Sequence, residues 1–385
     1  MKKGWTYKKL GDLCTIERGG SPRPIAAFIT DSNDGLNWIK IGDATDGSKY
    51  ITGTKEKIRE EGLKKTRLVH KGDFILSNSM SFGRPYILEI DGCIHDGWLV
   101  IHDDKEVFNK SYLYYVLESP NMYREFQRLA VGGVVNNLNT QIVRNVVVPV
   151  PPLAEQARIV AELDLLTGII DKQKRQLAEL DTLAHSIFYD MFGDPVENEK
   201  GWETDKLKSV APERQYEGVV SGANGKYWLL NLDMVAQQTG VILNKVLCDS
   251  EDIGDSTIMF DASNVLFSKL RPYLNKVVLP DGFGYGTSEF VPLKPVNTKL
   301  NRVFLAYLLR SKAFVNYISG KVAGAKMPRV SLDVLRMFPI ILPPLSLQES
   351  FAEKISAIES QKNSIRKSIA ESQKLFDYTM DKYFG

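Results

Sequence analysis

The sequence predicts a mixed α/β (α+β) protein in which two globular regions repeat in tandem, each followed by a long helix. Three observations carry this prediction. A double proline, "PPLAEQ" from Pro151 and "PPLSLQ" from Pro343, ends a strand-like run twice, at an offset of 192 residues. Before each copy lie short runs rich in Ile, Val, Phe, Tyr and Trp, separated by Gly, Asn, Asp and Pro, as strands are. After each copy comes a proline-free stretch with apolar residues at three-and-four spacing, the signature of a long amphipathic helix.

Taken in order, the landmarks keep the offset within a few residues. "KGW" occurs at Lys3 to Trp5 and Lys200 to Trp202, and "WIKIGD" from Trp38 has "WLLNLD" from Trp228 as its counterpart. "GDFILSNSMSFGRPYILEIDG" (Gly72 to Gly92) parallels "SNVLFSKLRPYLNKVVLPDG" (Ser263 to Gly282). Within these, Phe74 to Ser77 and Asn264 to Ser268 read as strands. The regions Ser111 to Leu129 and Arg302 to Ile318 read as helices packed on a sheet. "DMFG" ends at Gly193 and "KYFG" at Gly385, again 192 apart. So long a period means whole domain-plus-helix units rather than a solenoid.

The first long helix carries a seam of Ile159, Leu163, Leu166, Ile170, Leu177, Leu180, Ala184, Ile187 and Met191, with Gln173 as its polar interruption. Phe351, Ile355, Ile358, Ile365, Ile369, Phe376 and Tyr383 form the second seam, and "SLQE" (Ser346 to Glu349) offers a capping box at its start. Each helix should be on the order of 50 Å long. Such a stripe has to be buried, and the economical partner is the other copy. The expected architecture is therefore two globular domains, 1–152 and 194–344, joined by helices 153–193 and 345–385 in an antiparallel, pseudo-twofold coiled coil.

Composition narrows the class without naming a partner. The formal net charge is +2, with 25% charged and 43% hydrophobic residues, as in ordinary globular proteins. Any basic surface must be local. Cys14, Cys93 and Cys248 lie far apart with no metal or disulfide spacing, so buried reduced thiols are expected. No apolar leader and no run of eighteen apolar residues is present, which points to a cytoplasmic protein with no membrane partner.

Catalytic signatures are missing. Neither double proline has the flanking residues of an Asn/Asp-Pro-Pro-Tyr/Phe methyltransferase tetrapeptide, and no Walker A loop or HExxH occurs. "PDGFGYGTSEFV" resembles a nuclease motif, but Val291 stands where lysine is required. His95 and Asp96 read either as a base with its orienter or as a hydrogen-bonded pair at a strand end.

Two α/β domains, each followed by a long helix introduced by "VPVPPLAEQARIV" (Val148 to Val160) or "ILPPLSLQESFAEKI" (Ile341 to Ile355), resemble the specificity (S) subunit of Type I DNA restriction–modification systems. The likeness spans essentially the whole chain. The second copy departs from the signature, with Ser346-Leu347-Gln348 in place of Ala154-Glu155-Gln156. The resemblance implies two target-recognition domains, each reading half of a bipartite site on double-stranded DNA. It also implies spacer helices that dock two methyltransferase subunits, with restriction/translocase subunits in the full complex. The chain itself would be non-catalytic and bind no cofactor, S-adenosylmethionine being expected on the methyltransferase partner. An adaptor that binds only proteins is the alternative.

DNA-reading loops combine Arg and Lys for phosphate with Asn, Gln, Ser or Arg for base edges. Four groups fit. "ERGGSPRP" offers Arg18, Ser21 and Arg23 beside Gly19 and Gly20, which permit close backbone approach; a plain solvent-facing loop is the other reading. "SNSMSFGRPY" offers Asn78, Ser79, Ser81, Arg84 and Tyr86, and its counterpart offers Lys269, Arg271 and Tyr273. Because Arg-Pro-Tyr recurs, Arg84 and Arg271 serve either the fold or phosphate. "GGVVNNLNTQIVRN" offers Asn136, Asn137, Asn139 and Gln141, paralleled by Lys326 and Arg329; turn capping by asparagine is the competing role. Lys40 and Lys226 flank Trp38 and Trp228, tryptophans expected in the core. The mixed-sign run Lys55 to Arg67 reads as a solvated helix.

Overall fold

The computed structural model describes the chain except residues 1, 3, 46, 79–81, 131–137, 219–224 and 325. It divides into two units, Met1–Lys172 with Ile369–Gly385, and Gln173–Ser368. Each unit thus combines one globular region with half of each long helix. The long helices run from Leu153 to Phe192 and from Leu345 to Phe384, 40 residues each, so about 60 Å at 1.5 Å per residue.

In the first unit a five-stranded sheet has the order Thr15–Arg18, Trp98–His102, Phe74–Ser77, Pro85–Leu88, Tyr50–Ile51. Its pairs are antiparallel except the last, where Tyr50 lies opposite Ile87 in parallel register. A second sheet orders Ile29–Thr30, Lys57–Ile58, Leu36–Ile39, Gly92–Ile94 and Arg67–Val69. Between the sheets Trp98, Ile75 and Leu88 are fully buried. On the outer face of the first sheet, Leu76, Leu99 and Ile101 pack with Tyr112, Leu113 and Phe126 from the helices that follow.

The second unit repeats the plan with a four-stranded sheet, Val246–Cys248, Tyr227–Leu230, Gly284–Thr287, Thr257–Phe260, and a three-stranded one, Val277–Val278, Val265–Ser268, Phe290–Leu293. In both units a two-stranded ribbon joins the start of the globular region to the run before the double proline. Thr6–Lys9 pairs with Val147–Val150, and Thr204–Lys206 with Pro339–Ile341. Trp38 and Trp228 are core residues, as expected.

Two expectations about helices are corrected. The helical stretches break at Ser119 and Ser311, giving Lys110–Glu118 then Pro120–Ala130, and Arg302–Arg310 then Lys312–Ser319. Both serines are buried, and their hydroxyls accept from Met122 N and Phe314 N to start the next helix. The Lys55 to Arg67 run is not one helix but the strand Lys57–Ile58, a 3₁₀ turn Glu60–Lys65 and the strand Arg67–Val69. Within the run only Ile58 and Gly62 are buried, and Ile58 takes its place in a sheet opposite Ile29 and Leu36.

The double prolines work through the glutamine that follows them. Gln156 is fully buried. It accepts from Asn109 N (2.7 Å) and donates to Val107 O and Pro151 O (3.0 Å each). Gln348 does the same with Asn301 N (2.9 Å), Lys299 O (3.1 Å) and Pro343 O (2.7 Å). Every partner keeps the repeat offset. The capping box expected from Ser346 and Glu349 is not the device, because the helix already starts at Leu345.

Within the first unit, Ile159 and Leu163 share a core with Met380, Tyr383 and Phe384. Within the second, Gln173 reaches Ser368 and Asp181 reaches Lys362, so the helices run antiparallel there. The first seam is one residue off near its end: Phe188 and Phe192 are buried, whereas Ile187 and Met191 are only half-buried. A straight helix drifts by ~20° per heptad, so the buried face swings toward the globular region while still touching its helical partner. Phe192 meets both Phe304 of the globular region and Phe351 of the partner helix, with ring centroids 4.7 Å and 5.4 Å away.

Candidate nucleic-acid interface

In the first unit the tight turn between Gly92–Ile94 and Trp98–His102 presents Asp96, and five side chains converge on it. Ser21 Oγ donates to its carboxylate at 2.8 Å, and Arg18 Nε donates to its carbonyl at 3.1 Å. Asn78 Nδ2 donates to the same carbonyl at 2.9 Å. His95 Nδ1 accepts from Gly97 N, which leaves Nε2 to donate to the Asp96 carboxylate at 2.9 Å. Arg23 lies 3.8 Å from the carboxylate with a side chain 83% exposed. Burial pushes the Asp96 carboxyl up, but the Ser21 hydrogen bond and the charges of His95 and Arg18 outweigh it and hold it below the usual range.

Asn78 of the second sequence group therefore joins the first group in one constellation. Asn78 is its internal clamp rather than a free reader. It is buried, takes Gly97 O with its own N–H, and gives its carbonyl to Leu138 N, which brings the third group alongside. Gly19 and Gly20 do permit close approach, but of the protein to itself. A Cβ on Gly19 would stand 2.3 Å from His95 O, and one on Gly20 would stand 2.5 Å from Lys65 O.

Other expectations separate here. Tyr86 is 3% exposed and meets Trp98 edge-on, 5.6 Å between centroids, so it belongs to the core and not to an interface. Arg84 is exposed at the mouth of the same strand. Asn139 is committed to a helix cap, its Oδ1 accepting from Ile142 N at 2.9 Å, while Gln141 is exposed in the turn that it starts. Lys40 is tied to Glu56 at 2.5 Å. Ser79, Ser81, Asn136 and Asn137 lie outside the described residues.

The second unit builds its tip differently. The loop after Val265–Ser268 carries Lys269, Arg271 and Tyr273, and the hairpin of Val322–Ala323 and Arg329–Val330 carries Lys326 and Arg329. The two are stitched together by Arg271 N donating to Pro328 O (2.8 Å) and Val330 N donating to Lys269 O (3.0 Å). Arg271 and Asn275 are both left-handed, at φ 48° and 52°, as is Gln238 beside them at 64°. Non-glycine residues pay for that conformation, so the surrounding bonds have to impose it. Gln238 donates to Tyr273 O, and Asn275 donates to Gln238 Oε1 and Arg310 O. The result is a propped tip on which Arg271 and Tyr273 are exposed, Tyr273 by 47%.

Arg-Pro-Tyr thus recurs in sequence but not in structure. In the first unit it enters a strand with its tyrosine inward; in the second it crowns a turn with its tyrosine outward. Lys326 is exposed and half-buried Lys269 lies at the base of the tip. Arg329 is engaged by Glu289 in a two-pronged pair (2.7 to 3.2 Å), and Lys226 by Asp249 at 2.6 Å. The hydrogen bonds of these pairs hold both cations' pKa values above the ordinary ones. Sequence reasoning missed Gln238 and Asn275, which hold the tip without facing a ligand. The polar residues bracketing "RPYL" were the available signal.

Among the described residues no group of His, Cys, Asp and Glu is arranged to hold a metal ion, and no helix is long and apolar enough to cross a membrane. The three cysteines are buried, and burial pushes the Cys14 and Cys93 thiols up to about 12 and about 11.

The family model described as "Type I restriction modification DNA specificity domain" matches residues 2–182 and 199–372. The specificity subunit of the Type I restriction enzyme MjaIX of Methanocaldococcus jannaschii is 22% identical over 417 aligned residues, covering 99% of this chain and 93% of that protein. A solved chain from work on complex assembly and conformational transition of the type I R-M system superposes with a TM-score of 0.58 at 18% identity, covering 100% and 98% of the two chains. The S subunit of a Type-I restriction-modification system from M. genitalium gives 0.56 at 12% identity, covering 99% and 96%.

Proposed function

This chain belongs to the Type I restriction modification DNA specificity family, and from that premise we propose that residues 1–152 and 194–344 each read one half of a bipartite, asymmetric site on double-stranded DNA. The helices 153–193 and 345–385 set the distance between the halves and dock two methyltransferase subunits. Restriction/translocase subunits join the same complex. The chain contributes recognition and no catalysis; S-adenosylmethionine binds on the methyltransferase partner.

One observation supports this reading above others. The two repeats keep the same buried frame, down to Gln156 and Gln348 or Ser119 and Ser311, yet differ at their exposed tips. Like frames with unlike tips suit two different half-sites, because frame sets orientation and tip chemistry chooses bases. On this reading Arg18 and Arg23 of the first unit take phosphate, and Ser21 and Gln141 take base edges. In the second, Arg271 and Lys326 supply the cations and Tyr273 an apolar face.

A long-read map of N6-methyladenine in cells carrying the methyltransferase partners, with and without this reading frame, tests the proposal. A split, asymmetric motif should vanish with the frame. Unchanged methylation beside an expressed, folded methyltransferase would leave a protein-binding adaptor as the better account.

A further inference from the structure

The contacts across the helix pair are asymmetric in a way that the repeat does not require. In the second unit Lys362 is only 2% exposed in the middle of an apolar seam. Its ammonium lies 2.6 Å from Asp181 on the other helix and 2.6 Å from Glu359 on its own. Nearby, Gln173 Nε2 donates to Ser368 Oγ at 2.7 Å. In the first unit Tyr383 Oη accepts from Arg158 at 3.0 Å and donates to Glu162 at 2.6 Å, while Lys382 lies 3.5 Å from Glu162.

None of these contacts has a repeat-equivalent. At the offset of 192, Lys362 corresponds to Ile170 and Asp181 to Gln373; Gln173 corresponds to Ile365 and Ser368 to Gln176. Glu162 corresponds to Lys354, and Lys382 to Asp190. Consider then a pair made of two first helices from separate chains. Asp181 would face Ile170 instead of an ammonium, and Glu162 would meet Asp190. In a pair of two second helices Lys362 would lose its cross-helix carboxylate, and Lys382 would meet Lys354. Unlike pairing joins opposite charges at Asp181 with Lys362 and at Glu162 with Lys382; like pairing brings like charges together or takes the cross-helix partner from a buried one.

We propose that this polar code makes the two long helices select each other and reject a second copy of their own kind, so that the two unlike repeats of the protein stay matched. A repeat protein with interchangeable helices would otherwise be open to pairing two identical halves. Lys362 with Asp181 is the central discriminator because it is the most deeply buried of these contacts.

Charge reversal in the full chain tests this. D181K puts lysine opposite Lys362, and K362D puts aspartate opposite Asp181, so each variant repels its own partner helix. Combined, the two variants offer matched charges only between chains. Co-refolding D181K with K362D, one of them tagged, should give a 1:1 heterodimer of twice the 43.3 kDa chain mass by light scattering. The double variant D181K/K362D, matched within one chain, should refold as a monomer like the native protein. Failure of either single variant to fold alone is expected and changes nothing, since both decisive samples are charge-matched. A mixture that contains only monomers overturns the proposal, and so does a double variant that does not return to the native mass.

Discussion

Gln156 and Gln348 each join three strangers: the carbonyl of a proline five residues back and two backbone groups nearly fifty residues upstream. A long helix leaving a domain needs a fixed exit direction, and a buried amide with all three bonds satisfied supplies it. Replacing Gln348 by Ala orphans Asn301 N–H and two carbonyls in an apolar setting, at a cost of roughly 2–4 kcal/mol. Gln156→Ala should cost the same in its own unit. Urea unfolding of each variant against the native chain measures this, and a loss below ~0.5 kcal/mol would remove the glutamine from its role. The "PPLxxQ" pattern was legible in the sequence, but its purpose was not, because the groups that explain it lie 47 and 49 residues away. Lys362 was illegible for a related reason. It shows only as a missing apolar residue between Ile358 and Ile365, and the carboxylate that permits its burial sits 181 positions earlier.

Elements were easier to read than the use made of them. The long helices and the strand Phe74–Ser77 follow from periodicity, since each has one face to bury. The breaks at Ser119 and Ser311 did not, because an apolar pattern runs through both and only a buried cap reveals the stop. The two Arg-Pro-Tyr loops mark the limit more sharply. The same tripeptide enters a strand where Gly83 (φ 73°) turns the chain before it, and forms a left-handed turn where Gln238 and Asn275 prop it. Opposite outcomes follow for the two tyrosines. Tyr86→Ala empties a core site and should cost about 3–5 kcal/mol of stability. Tyr273→Ala should leave stability within ~0.5 kcal/mol and weaken binding at one half-site on the order of 1–3 kcal/mol. Thermal melts paired with DNA titrations at fixed salt separate the two effects; equal stability losses would mean that the second tip is merely structural.

At the scale of the whole chain, the independence of the two readers depends on where the cores close. Sequence landmarks alone suggest exchanging residues 1–150 for the matching part of a relative to replace one half of the recognised site. The structure adds a condition, because the core of the first unit includes the end of the chain. Tyr112 meets Phe384 with ring centroids 5.7 Å apart, Tyr115 meets Phe376 at 6.4 Å, and Met380 and Tyr383 are buried there too. A chimera carrying foreign residues 1–150 against the native tail juxtaposes two halves of one core that were never fitted to each other, and mismatched packing of this kind costs roughly 1–3 kcal/mol. A chimera that also brings the donor's counterparts of 151–172 and 369–385 keeps the core whole. Both should change one half of the methylated motif and leave the other half and the spacing intact, but only the second should melt at the native temperature. Loss of both half-sites in the second chimera would show that the tips do not read independently, because its cores are complete and instability could not be blamed.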